Sequence, residues 1–356
     1  MKFVVCGLSI TSSWGNGHAT NYRALARALE RRGHDLLFLE RDVPWYAAHR
    51  DALGFPYARV ELYTSVGEVR ERFSDEVRDA DCVMVGSFVP EGVAIGSWVL
   101  STARGVTAFY DIDTPVTVAK LHGGDDEYLT PALVPRYDLY LSFTGGPILR
   151  ELERRWGARR ALPFHCVVDP QIYFPQPLRK QWALGYLGTY SPDRQPALET
   201  LLVEPARRVP TETFAVAGPQ YPDDLEWPRN VSRIDHLPPT SHRAFYCAQR
   251  ATLNVTRAEM ARAGWSPSVR LFEAAACGTP VISDRWPGLD EFFVPGREII
   301  VAQETEDVIS VLRRMDREDL AAIGERARAR VLAEHTAGQR VEQLESYLAQ
   351  VVPVAA

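Results

Sequence analysis

The chain has 356 residues, 46% of them hydrophobic and 24% charged, with a formal net charge of −6. That length suits two hydrophobic cores, and the composition is that of a globular protein rather than a disordered or fibrous one. The acidic balance leaves no basic footprint for nucleic acid, and no apolar run reaches the ~18–20 residues needed to span a bilayer.

The first eight residues, MKFVVCGL, are apolar but too short for a secretion signal. They read as a first buried strand, and a cytoplasmic location is expected. The five cysteines (Cys6, Cys82, Cys166, Cys247, Cys277) are scattered, with no CxxC pair and no His/Cys cluster. They are expected to be buried thiols of a reduced protein rather than disulfides or zinc ligands.

Residues 12–18, SSWGNGH, form a loop between that strand and a helix over 19–32, and a second strand follows at 35–40. This βαβ unit lacks the GxGxxG spacing of dinucleotide sites. Gly15 and Gly17 allow a close backbone approach to a ligand, or simply a tight turn. His18 at the helix start is a candidate general base or donor, or a capping histidine.

A charged helix from near Val66 leads to a strand at 81–87, a helix at 93–101 and a strand at 106–111 that ends in Asp111-Ile112-Asp113-Thr114-Pro115. Two carboxylates at alternate positions of a strand end do not converge on one ion automatically, so no metal is expected. Asp111 or Asp113 is expected to contact substrate, or to cap the helix that starts at Thr114. The strand at 138–143 runs into Thr144-Gly145-Gly146-Pro147, a backbone nest at a helix start.

Pro170, Pro175 and Pro177 mark a semi-rigid linker. The expected division is an N-terminal domain at 1–170, a second domain at 171–335 and a final crossover helix and tail at 336–356. The second domain opens on a strand ending in Gly188 and Thr189. With Arg194 these make a phosphate cradle. Strands are expected at 213–218, 231–236 and 252–255, with a helix at 244–249. Arg257 falls just beyond the last of these strands.

Residues 266–302 are the most legible stretch. A short buried helix at 269–277 carries Arg270 and Glu273 on one face, three positions apart. Gly278 ends it, a strand follows at 280–284, and a loop leads to a second helix start and a strand at 299–302. Arg270 and Glu273 suit a ligand with phosphate and hydroxyl groups, or form an ordinary surface pair. From Glu306 onward the chain is helical and charged, with a frayed tail expected from 349.

FEAAACGTPVISD, followed by GLDEFF and PGREIIVA, resembles the nucleotide-sugar segment of GT-B glycosyltransferases. In particular it resembles the CgeB-like (spore maturation protein-type) group related to glycosyltransferase family 4. GNGH, YDIDTP, SFTGGP, GTYSPDRQ and NVTRAEM extend the likeness, in order, over most of the chain.

The resemblance implies an α/β GT-B fold. Two Rossmann-like domains with parallel sheets face each other across a cleft, and a C-terminal helix crosses back to the first. It implies a metal-independent, hexosyltransferase-type enzyme with no cofactor beyond its co-substrate, a nucleoside diphosphate sugar, with UDP favoured. It assigns Gly17, Gly188, Thr189, Arg194, Arg257 and Arg270 to the donor diphosphate. Asp235, His236, Leu237 and Glu273 are assigned to the nucleoside, and Asp290 and Glu291 to the donor sugar. His18, Asp111 and Asp113 are the catalytic candidates on the acceptor side. The acceptor is unidentified, and loops at 42–72 and 122–136 are expected to select it.

One departure bears on stereochemistry. Many retaining family 4 enzymes carry two glutamates eight positions apart; Glu273 matches the second, and Trp265 stands where the first would be. Asp284, Asp290 or Glu291 are left to replace it, with retention favoured over inversion. Two other readings stay open: a nucleotide-sugar 2-epimerase of the same fold, and a non-catalytic binding or assembly protein.

Overall fold

The computed structural model describes residues 1–15, 17–52 and 54–351. Near-continuous apolar runs such as KFVVCG and VTAFYD are typical of strands covered on both faces of a parallel sheet. In the first half they build β1 (Lys2–Gly7), β2 (Asp35–Arg41), β3 (Arg59–Tyr63), β4 (Cys82–Gly86), β5 (Val106–Asp111), β6 (Leu139–Ser142) and β7 (Ala161–Pro163). All pair in parallel, in the order β3-β2-β1-β4-β5-β6-β7. The strand order reverses between β1 and β4, which is where open α/β sheets leave a crevice at the strands' carboxyl ends.

The second half repeats the plan. β8 (Trp182–Leu187), β9 (Phe214–Ala217), β10 (Val231–Ile234), β11 (Gln249–Asn254), β12 (Val281–Ser283) and β13 (Ile300–Val301) pair in parallel, in the order β10-β9-β8-β11-β12-β13. Leu184, Phe214, Leu253, Ile282 and Val308 belong to one buried cluster. The reversal here lies between β8 and β11.

The chain divides into two compact units, Val168–Thr336 and Met1–Val167, the latter completed by the helix Ala337–Ala349. Val341, Leu344 and Leu348 of that helix are buried. Arg32 grips Glu345 through Nε at 2.9 Å and Nη2 at 2.6 Å, and Glu342 at 2.9 Å. The tail expected from 349 lies, from 352 on, outside the described residues. Among the described residues no helix is long and apolar enough to cross a membrane. All five cysteines are buried and unbridged.

Several expected elements shift. The helix expected at 244–249 is Pro239–Cys247, because Pro239 sets its first turn. β11 then begins at Gln249, which pairs with Trp182. Gln249 is a fully buried amide whose Nε2 donates to the Phe245 carbonyl at 3.0 Å, so a polar residue opens an internal strand. The segment 42–72, expected to carry acceptor loops, holds the helix Pro44–Ala47 and β3, and the helix expected from near Val66 is Val66–Asp79. β3 is an edge strand of sequence RVELY and mostly half-buried, so its apolar signal is weak. The helical C-terminal region is three helices, Thr305–Arg314, Arg317–Glu334 and Ala337–Ala349, with Asp316 capping the second through Glu318 and Asp319 N–H.

Candidate active site

At the switch point of the second unit, the helix Val269–Ala276 presents Arg270 to the end of β8. Gly278, with φ +69°, closes that helix as expected. Arg270 Nε donates to the Leu187 carbonyl at 2.5 Å and Nη1 to Asn254 Oδ1 at 2.9 Å. Its guanidinium lies over the Tyr186 ring, 4.7 Å from the centroid. Gly188 is required beside it. A Cβ there would stand 2.8 Å from Arg270 Nη2 and 2.7 Å from the Tyr186 hydroxyl.

Asn254 is the hub that sequence reading missed. Fully buried at the end of β11, it also accepts from Ser268 Oγ at 2.8 Å and donates to Ser283 Oγ at 2.9 Å. Its only signal was a polar residue ending an apolar strand.

Arg194 precedes the helix that starts at Gln195, and its Nη2 donates to the Thr189 carbonyl at 2.6 Å. Arg257 occupies the cap position of the helix Ala258–Ala263. Asp193 ties the two segments together by accepting from Ala258 N–H at 2.8 Å. Burial works to raise the Asp193 pKa, but Ser191, Ala258 N–H and the charges of Arg257 and Arg194 hold it below its usual value. Nε of both arginines is buried without an acceptor. Among the described residues, none of Arg194, Arg257 and Arg270 forms a salt bridge, whereas many other arginines of the chain do. Three cations at strand ends and helix starts, none of them in a salt bridge among the described residues, favour an anion.

Arg270 and Glu273 share a face but do not pair. Glu273 is buried, with Tyr246 Oη donating to it at 3.0 Å; the Tyr173 hydroxyl lies 3.4 Å from His242 Nδ1. Burial and the Glu273 charge push both tyrosines well above their ordinary pKa. Of the residues expected at the nucleoside, Asp235 and His236 are exposed, and the Leu237 carbonyl accepts from His242 Nε2 at 3.1 Å. Arg233, not singled out from sequence, donates to the carbonyls of Val216 at 2.5 Å and Gly218 at 3.0 Å. It lies 4.2 Å from the Tyr221 ring centre and 5.2 Å from that of Trp227.

Trp265, at the position of the absent glutamate, adopts φ +47° and donates from Nε1 to Glu291 Oε1 at 2.6 Å. Gly288 lets the indole approach, since a Cβ there would fall 2.6 Å from its ring atoms. Asp290 is exposed on the same four-residue helix, Leu289–Phe292. Asp284 is drawn elsewhere, accepting from Thr256 N–H at 3.1 Å and Thr256 Oγ1 at 2.9 Å; burial raises its pKa.

In the first unit, the loop after β1 is braced by Glu40. This fully buried carboxylate accepts from Ile10 N–H at 2.6 Å, Thr11 N–H at 3.0 Å and Thr11 Oγ1 at 2.6 Å. Gly17 then caps the helix His18–Arg31 from an exposed position; Asn16 lies outside the described residues. His18 is buried, with Nε2 3.6 Å from Asp113 Oδ2.

Asp111 and Asp113 part company. Asp113 is partly exposed and makes no side-chain cap, so the expected capping role is not filled. Asp111 is fully buried and accepts from Tyr140 Oη at 2.5 Å and Thr117 Oγ1 at 2.7 Å. Burial pushes its pKa up to about 6, against those hydroxyl bonds. Of the two aspartates, the structure therefore places Asp113 beside His18 and holds Asp111 on the hydroxyls of Tyr140 and Thr117.

Residues 194–346 match a family model described as glycosyl transferase-like. No curated protein matches the chain in sequence. Among solved structures, a sucrose-phosphate synthase from Thermosynechococcus elongatus is similar at TM-score 0.71 and 15% identity, covering 99% of this chain and 100% of its own. Anabaena HepE in complex with UDP and glucose is similar at TM-score 0.72 and 14% identity, covering 98% and 100%. An alpha-glucosyltransferase in complex with UDP and a 13-mer DNA is similar at TM-score 0.73 and 13% identity, covering 98% and 99%. The chain thus has the GT-B fold and carries a glycosyl transferase-like domain in its second half.

Proposed function

We propose that the protein is a glycosyltransferase that takes a hexose from a UDP-sugar. The observation that carries this reading is the trio Arg194, Arg257 and Arg270, none of them in a salt bridge among the described residues. A diphosphate would neutralise them, with Gly188 and Thr189 at the end of β8 supplying backbone contacts. Stabilising the departing UDP in this way needs oriented cations and N–H groups rather than a metal ion.

Glu273, held by the Tyr246 hydroxyl, suits the ribose hydroxyls. The segment Asp235, His236 and Leu237 is assigned to the base. Asp290 and Glu291 are assigned to the donor sugar, with Glu291 standing in for the glutamate that Trp265 replaces. On the acceptor side, Asp113 would polarise the imidazole of His18, which takes the acceptor's hydroxyl proton. The distant relation to family 4 favours retention of configuration, by front-side attack with the departing diphosphate assisting; His18 acting as the base is what the inverting route would need. The CgeB-like group and a cytoplasmic location belong to the same reading.

The test is a thermal-shift screen against UDP-, GDP-, ADP- and dTDP-sugars, repeated with Arg270→Ala. A ligand at a hundredfold excess over its dissociation constant stabilises by about 2.7 kcal/mol. A shift with UDP-sugars that vanishes in the variant supports the donor site; no shift with any nucleotide overturns it. UDP release that depends on acceptor separates transfer from epimerisation.

A further inference from the structure

Phe88 has an unusual backbone. It follows β4 with φ +60°, and Glu91, three residues on, has φ +55°. Bulky side chains rarely adopt this left-handed conformation, and where it persists the surroundings enforce it. Here Ser87 N–H donates to the Tyr110 carbonyl at 3.0 Å, and Ser87 Oγ accepts from Ile112 N–H at 3.1 Å. Arg41 holds Glu91 at 3.2 Å.

The conformation sets the Phe88 ring on a prepared bed. It packs on buried Tyr128 with centroids 4.7 Å apart. Tyr128 reaches that place because Gly92 has no side chain: a Cβ there would lie 2.7 Å from Tyr128 Cβ. The Tyr128 hydroxyl is fixed to Thr117 Oγ1 at 2.8 Å, and Thr117 in turn bonds Asp111 at 2.7 Å. Phe88 meets the His18 ring nearly edge-on, 5.9 Å apart at 76°, and remains partly exposed. Sequence reading gave Phe88 no role.

We propose that Phe88 is the platform of the acceptor subsite, and that the acceptor group it receives is a pyranose ring. This rests on the transferase reading. A partly exposed aromatic ring beside a hydroxyl-accepting His18–Asp113 pair calls for a flat apolar face with a hydroxyl at its rim. A pyranose presents axial C–H groups on one face and equatorial hydroxyls around its edge. A peptide serine has the hydroxyl but no such face, and an unmodified nucleobase has the face but no hydroxyl at its rim. Strain kept at this point, beside the proposed base, fits a side chain placed for a ligand.

The test uses saturation-transfer NMR of the full chain with UDP and a panel of methyl hexosides and methyl deoxyhexosides. At least one glycoside is expected to receive saturation chiefly on the protons of one ring face. Phe88→Asn, whose side chain tolerates the left-handed backbone, should weaken that glycoside about tenfold, while Phe88→Tyr retains it. The UDP thermal shift is followed in the same samples and should persist in both variants. If Phe88→Asn fails to fold, the Phe88 ring signals of 13C-phenylalanine-labelled protein, identified by their loss in Phe88→Tyr, must still shift on adding the glycoside. No saturation of any glycoside, or equal saturation in Phe88→Asn, overturns the proposal. Loss of the UDP response in the wild type would instead overturn the donor reading.

Discussion

The Trp265 indole donates to the Glu291 carboxylate at 2.6 Å, joining the position of a missing acidic residue to an acidic residue 26 positions later. A hydrogen bond to a charged group is worth about 1.5–3 kcal/mol when shielded and less when exposed. Its role here is direction: it fixes which way Glu291 points. Trp265→Phe keeps the ring against Gly288 but removes the donor. UDP affinity should stay unchanged, while the extra affinity of UDP-glucose over UDP shrinks several-fold, by about 1 kcal/mol. Titration calorimetry of both ligands decides it. Equal losses for UDP and UDP-glucose would show that the pair serves the loop and not the sugar.

Arg270→Lys tests whether the guanidinium acts as a fork or merely as a charge. Arg270 spends Nε on the Leu187 carbonyl and Nη1 on Asn254, which leaves Nη2 beside Gly188. Lysine keeps the charge but cannot brace two acceptors and still present a donor. UDP should bind about 10–100-fold more weakly. A lysine variant that binds as tightly as the wild type would reduce the site to simple charge attraction.

Gly188→Ala approaches the same site from the opposite side. The new methyl would sit 2.8 Å from Arg270 Nη2 and 2.7 Å from the Tyr186 hydroxyl, so the guanidinium must move off its ring. The expected result is an overpacking cost of about 1–3 kcal/mol in urea melts together with weakened UDP binding. Gly67→Ala is the control. Its methyl would meet only Ser65 Oγ at 3.8 Å, in a helix, so it should be neutral or slightly stabilising. If Gly188→Ala behaves like the control, the Arg270 side chain has more room than its contacts imply.

The contrast between Arg270 and Asp111 explains what the sequence could and could not convey. Residues 266–302 were readable because local chemistry dictates them: a small-residue helix, a glycine with φ +69° at its end, then an apolar strand. Arg270 sits on that helix, and its place at the end of β8 follows from parallel α/β topology. Asp111 and Asp113, by contrast, are two positions apart at a strand end. Tyr140, brought alongside by the pairing of β5 with β6, and Thr117 from the following helix hold Asp111 inward. Asn254 and Arg233 were overlooked for a related reason. Their partners, Ser268, Ser283, Val216 and Gly218, lie 14 to 29 residues away, and no short-range pattern announces them. Edge strands β3 and β7 escaped because half-buried edges need little apolar sequence.

Asp111 offers a prediction in pH. Burial pushes its carboxyl up from 3.8 to about 6, only partly offset by the bonds from Tyr140 and Thr117. Between about pH 4 and pH 6 the folded protein therefore holds this proton more firmly than the unfolded chain does. Stability falls as pH rises wherever the native state binds more protons. The Asp111 contribution is thus fully present below its unfolded pKa and is lost as pH climbs through about 6. A shift of that size amounts to roughly 3 kcal/mol at most. Asp111→Asn resembles the protonated acid at every pH and can still bond both hydroxyls. Urea melts of the two proteins should coincide near pH 4 and diverge through pH 6, with the variant more stable at pH 7. A variant less stable than the wild type at pH 7 would mean that the ionised carboxylate stabilises the fold, contrary to the burial argument.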